Sequence, residues 1–168
     1  MNVLAQNRRL VSVAAVTLIA VLLAACSGDP TPPSELLLSP TDFPGEGFTE
    51  TYREDGETNL NQPAVQVELS SPALTVLESL VLFETAQMAT TTLAGIKQVQ
   101  LTQGVPSAPV EGFYDNSGVM QEQLHGEDAS TLFFVEGRAL IRLTVSGGAG
   151  AARVWEIAGL AREKTGTG

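Results

Sequence analysis

The sequence predicts an α+β domain: a twisted antiparallel β-sheet of about five to six strands with two main helices packed on one face. Three observations predict it. Val65, Val67 and Leu69 alternate with Gln66, Glu68 and Ser70, and Ala139, Ile141, Leu143 and Val145 oppose Arg142 and Thr144, the period of a half-buried strand. The apolar period changes from 2 to 3.6 across residues 86–100 and again across 151–164. Three strand candidates, 119–124, 131–135 and 139–145, follow one another so closely that only an antiparallel meander accommodates them.

Taken in order, the chain opens as an export signal is built. Asn7, Arg8 and Arg9 supply a positive end, residues 10–23 an apolar centre interrupted only by Ser12 and Thr17, and Ala24 and Ala25 the small residues a signal peptidase needs. The apolar run falls short of the roughly 18–20 residues of a spanning helix. Leu23-Ala24-Ala25-Cys26, with the only Cys of the chain, resembles the lipobox of bacterial lipoproteins. That resemblance implies cleavage between Ala25 and Cys26 and a diacylglyceryl group on the Cys26 sulfur. Two acyl chains suffice for stable anchoring, because each buried methylene contributes about 0.8 kcal/mol. The expected organisation is a signal peptide over 1–25, a lipidated Cys and Pro-rich tether over 26–35, one domain over 36–164 and a flexible tail over 165–168. With three prolines among small polar residues, the tether reaches about 25 Å as an extended polyproline segment.

Within the domain, Ser39 before Pro40 and Asp42 has the layout of a helix N-terminus, and Pro44-Gly45 stops it after one turn. That turn is expected to pack Leu36, Leu38 and Phe43 over one end of the core. A strand over 48–53 should end in an acidic turn at Glu54-Asp55-Gly56-Glu57. Residues 76–83 are apolar almost throughout and read as a central strand. Thr85 should cap the first helix, whose stripe comprises Met88, Ala89, Thr92, Leu93, Ile96 and Val99. His125-Gly126-Glu127-Asp128 and Glu136-Gly137 are the expected hairpin connections. The last helix carries Val154, Ile157, Ala158 and Ala161 on its apolar stripe, with Trp155 and Leu160 at the margins.

Charge and chemistry narrow the function. Without residues 1–25, 143 residues remain with seven basic against 19 acidic side chains, a formal balance of −12. Such a surface lacks the Lys/Arg clusters that nucleic acid or anionic headgroups require. A lipidated Cys26 leaves no thiol for a disulfide, so the core alone must hold the fold. His125 is the only histidine and sits in a turn, without the several rigidly held ligands of a metal site. No Gly-x-Ser-x-Gly elbow or catalytic Cys is present, and Gly147-Gly148-Ala149-Gly150 lacks the Lys-Ser/Thr of a phosphate-binding loop. No enzyme, metal or cofactor is expected.

Leu37-Leu38-Ser39-Pro40-Thr41-Asp42-Phe43-Pro44-Gly45 with Gly47-Phe48, Val81-Leu82-Phe83-Glu84-Thr85-Ala86, Leu132-Phe133-Phe134-Val135-Glu136-Gly137-Arg138-Ala139-Leu140 and a last helix with Leu160-Ala161 form a recognisable pattern. It is similar to the extracytoplasmic sensor-like domains of bacterial lipoproteins and membrane Ser/Thr kinases. The resemblance implies a twisted antiparallel sheet with helices on one face and a cleft, and it brings no catalytic motif. Two function classes stay open: a membrane-tethered module in the cell envelope that binds a small apolar or amphipathic ligand, and an interaction or structural lipoprotein that docks an envelope protein. Leu132-Phe133-Phe134-Val135 and residues 76–83 offer more apolar side chains than one sheet face needs, which either a cleft or cover on both faces explains.

Overall fold

A computed structural model describes residues 31–105, 110, 112–113, 115–148 and 150–166. Cys26 and Ala25, the proposed lipidation and cleavage positions, lie outside the described residues, as does most of the segment ahead of the domain. Pro33–Glu35 forms one 3-10 turn and Pro40–Asp42 a second. At the second, the Ser39 backbone N–H donates to Asp42 Oδ2 at 2.7 Å, and Phe43 stacks at 4.4 Å on Phe48, so the expected single turn is present. Leu36, Leu37, Leu38 and Phe43 are all buried.

Six strands follow the order β1-β2-β3-β6-β5-β4, each pairing antiparallel. They are β1 (Thr49–Glu57), β2 (Pro63–Ser70), β3 (Thr75–Leu82), β4 (Met120–Leu124), β5 (Glu127–Glu136) and β6 (Ala139–Ser146). The α-helices are α1 (Ala86–Thr102) and α2 (Gly150–Gly166). Strand β3 is central, as its apolar run implies, and Thr85 caps α1 by accepting from the Met88 backbone N–H at 3.2 Å. The β5–β6 hairpin falls one residue later than the expected Glu136-Gly137: Glu136 pairs with Ala139, so Gly137-Arg138 make the two-residue turn.

Two further connections differ from expectation. Glu54 to Glu57 is strand, paired with Gln66 to Pro63, and the reversal falls later. Charged residues suit an exposed edge strand, where they discourage pairing with another chain. The turn chemistry resides in Thr58, whose hydroxyl accepts from the Leu60 and Gln62 backbone N–H groups, and in Asn61 at φ 57°. Between β4 and β5 only His125 and Gly126 turn, at φ 53° and 84°, the two left-handed positions of a tight hairpin, so Glu127 and Asp128 are strand residues.

The helices do not share a face of the sheet. Val154, Ile157, Ala158 and Ala161 of α2 pack with Val65, Val67, Leu69, Val76, Leu80, Leu132, Phe134, Ile141, Leu143 and Val145. Ala89 and Leu93 of α1 pack with Val81, Phe133, Val135 and Leu140, the intervening residues of the same strands. Successive side chains in a strand point to opposite faces, so α1 and α2 lie on opposite sides. The surplus of apolar residues in β5 is the cause: Leu132 and Phe134 need cover on one side, Phe133 and Val135 on the other. Phe113, from the connection after α1, joins the α2 side, edge-on to Phe134 at 5.3 Å and against Trp155 at 5.6 Å.

The Gly-rich connection before α2 exists for close approach. Gly147 has φ 107°, and a Cβ there would lie 2.3 Å from the Ala73 carbonyl oxygen; one on Gly150 would lie 2.9 Å from the Val145 carbonyl oxygen. The small polar pocket beside it, about 310 Å³, is lined by residues 71–75 with Glu127, Gly147 and Gly148, a lining that offers an anion a carboxylate and no cation.

Candidate functional site

An apolar groove lies where α1 leaves the sheet partly uncovered. Thr92, Gly95, Ile96, Val99, Gln100 and Gln103 form its helical wall, and Met120 and Phe133 its other side. It is an open groove of about 450 Å³, within the range of small-molecule sites. No residue of the lining is charged.

The helix builds this groove through its rotational setting. Its inward line is Ala89, Leu93, Ile96 and Gln100; the first two and the last are buried, and Ile96 half-buried. Met88, Thr92 and Val99, expected to face the sheet, are exposed instead, with Val99 at 58%. Those spacings of 4, 3 and 4 residues describe a narrower stripe than the sequence suggests, because α1 meets the sheet chiefly along β5 and β6. Gly95 lies mid-helix with nothing within 4 Å of where a Cβ would be. A helical Gly costs about 1 kcal/mol relative to Ala, so the residue gives up helix stability at a place where it widens the groove.

Gln100 is the buried polar residue of the wall. It is 3% exposed, its Nε2 donates to Met120 Sδ at 3.6 Å, and its Oε1 has no hydrogen-bond donor among the described residues. Behind Phe133, the same sheet face becomes polar. Glu122 Oε1 accepts from Arg142 Nη2 at 2.6 Å, from Thr144 at 3.2 Å and from Thr131, and the Arg142 guanidinium carbon lies 5.9 Å from the Phe133 ring centre. Partial burial would raise the Glu122 carboxyl, but the Thr131 hydrogen bond and the Arg142 charge outweigh it and hold it below the usual carboxylate value. Lys97 pairs with Asp115 at 3.6 Å. Both cations thus have carboxylate partners.

His125 stands at the tip of the β4–β5 hairpin with its side chain 65% exposed, and its Nε2 is 2.6 Å from Glu68 Oε2. It is a surface contact between the hairpin and β2. Among the described residues no three His, Cys, Asp or Glu side chains are placed to hold a metal ion.

On the opposite face, Glu78 of β3 is fully buried among the apolar residues. Its Oε2 accepts from the Leu38 backbone N–H at 2.7 Å, and its Oε1 has no partner among the described residues. Burial, the largest influence, pushes its carboxyl up to about 7 despite the Leu38 hydrogen bond and the nearby positive charge of Lys164. Sequence reasoning singled out neither Glu78 nor Gln100. The signals were present as a lone carboxylate in an apolar strand and a glutamine in phase with Ala89, Leu93 and Ile96.

No protein-family model matches this chain, and no curated protein matches it in sequence. In structure it is similar to the extracellular domain of PknH from Mycobacterium tuberculosis, with a TM-score of 0.52 and 12% identity over 80% of this chain and 95% of that one. At that identity the likeness shows the fold alone: a six-stranded antiparallel α+β domain shared with the extracellular domain of PknH. Among the described residues no helix is long and apolar enough to cross a membrane.

Proposed function

We propose that this chain is a non-enzymatic, sensor-like domain outside the cytoplasmic membrane, tethered through lipid on Cys26, whose α1 groove takes a small apolar or amphipathic ligand. The observation that carries the reading is the uncharged groove of about 450 Å³ on an otherwise acidic protein. Its exposed surface is mainly apolar with a few polar side chains, the composition usual in small-molecule sites. The fold shared with an extracellular domain supports the extracytoplasmic placement. Tethering follows from the lipobox chemistry of Leu23-Ala24-Ala25-Cys26.

Native mass spectrometry of the unit Thr31–Gly168 tests the binding role. That unit is compact and carries both apolar clusters, whose members begin at Leu36. A reproducible added mass, released by organic solvent, is the expected result. Cys26→Ser in the full chain should move the protein from the membrane to the soluble fraction, and retention would end the lipoprotein reading. A second reading, docking of an envelope protein, is favoured by Val99 and Leu101 of α1, which are 58% and 56% exposed. A bare chain mass together with a specific crosslink at α1 would favour it.

A further inference from the structure

Gln100 indicates what kind of molecule the groove accepts. An apolar side chain at this position would continue the line of Ala89, Leu93 and Ile96 and close the helix against Phe133 and Met120. The chain places an amide there instead. A buried amide oxygen that receives no donor from the described residues leaves its desolvation uncompensated by them, a cost an apolar residue would avoid. The amide nitrogen fares little better, since it donates to a thioether sulfur 3.6 Å from Nε2, a weak acceptor.

Met120 is also the adaptable part of the wall. Three rotatable bonds and a polarizable sulfur let it swing aside at small cost, and doing so uncovers the Gln100 amide to the groove. An occupant that displaces it meets both ends of the amide: Oε1, which needs a donor, and Nε2, which needs an acceptor better than sulfur. A hydroxyl or a carboxamide does both. A carboxylate or phosphate cannot donate to Oε1, and the nearby cations that would neutralise either one, Arg142 and Lys97, are paired with Glu122 and Asp115. An ammonium group would find no carboxylate in the lining.

We infer that the ligand of the α1 groove is a neutral amphiphile, an apolar chain bearing an uncharged hydroxyl or carboxamide that seats on the Gln100 side chain. The inference rests on the proposed binding role of the groove and specifies the chemistry of its occupant.

The test is displacement of the fluorescent probe 1-N-phenylnaphthylamine from Thr31–Gly168 by three molecules of equal chain length: decanol, decyl methyl ether and decanoate. Decanol should compete at a concentration about tenfold lower than the ether, the size of one buried hydrogen bond gained against a buried acceptor left unmade. Decanoate should be no better than the ether. In Gln100→Leu the preference for decanol over the ether should disappear while the ether still binds, and Met120→Ala should keep the preference. Should Gln100→Leu fail to fold, as judged by circular dichroism, the wild-type ranking decides alone. Equal competition by decanol and ether, or stronger competition by decanoate, overturns the inference and leaves the groove reading standing. Absence of any probe uptake by the wild type overturns both.

Discussion

Glu78 makes the stability of this domain depend on pH in an unusual sense. The ordinary acidic residue of a folded protein loses protons more readily than in the unfolded chain; Glu78 holds its proton up to about pH 7 instead of 4.5. A folded pKa raised above the unfolded one means stability that is fully present below pH 4.5 and is lost as pH rises through 7. The loss is about 3 kcal/mol at 1.36 kcal/mol per unit, a large share of the 5–15 kcal/mol typical of a domain. Charges facing Glu78 come from Lys164 on α2, Asp42 on the N-terminal turn and Arg53 on β1, while its strand neighbours Val67 and Leu143 are uncharged. Other shifted carboxyls act elsewhere on the scale. Burial would raise Asp42, Glu68 and Glu122, but hydrogen bonds from Lys164, His125 and Thr131 respectively outweigh it, so these three destabilise the fold only below about pH 4.5. Urea unfolding of Thr31–Gly168 followed by Trp155 fluorescence from pH 4.5 to 8, in wild type and Glu78→Gln, isolates the effect. Glutamine keeps an acceptor for the Leu38 N–H and adds buried donors, whose cost does not vary with pH. The difference between the two proteins should therefore shift by about 3 kcal/mol in favour of the variant across that interval. A pH-independent difference would refute the assignment of a protonated, buried Glu78.

Two backbone substitutions test the local geometry with opposite signs. Gly95→Ala should stabilise the domain by up to about 1 kcal/mol, because the added methyl meets nothing and the helix gains propensity; a raised melting temperature is the readout. Gly147→Ala should cost at least about 2 kcal/mol, since φ 107° strains any side chain and the new Cβ would meet the Ala73 carbonyl oxygen. An unchanged urea midpoint for that variant would contradict the close approach of β6 and the β2–β3 connection.

The sequence by itself determined the strand alternation, both helices and the Thr85 cap, because the period of apolar residues and the cap are set within a few residues of chain. Period-2 alternation and a two-residue turn leave little choice of neighbour, so the β5–β6 pairing is legible in the amino-acid order alone. Local chemistry also misled: Asp-Gly within Glu54 to Glu57 resembles a turn, yet pairing with β2 carries these residues along the sheet edge. Only the tertiary structure decided which face each helix covers. Helical periodicity says which side chains turn inward, but not which side of a sheet receives them, and β5 presents apolar residues to both. The groove depends on that choice. With α1 resting chiefly on β5 and β6, its stripe narrows, Val99 is left exposed, and Gln100 enters the wall beside Met120 and Phe133. The environment of Glu78 is likewise long-range: the Leu38 N–H that meets it lies 40 residues away, a distance in sequence over which no local pattern extends.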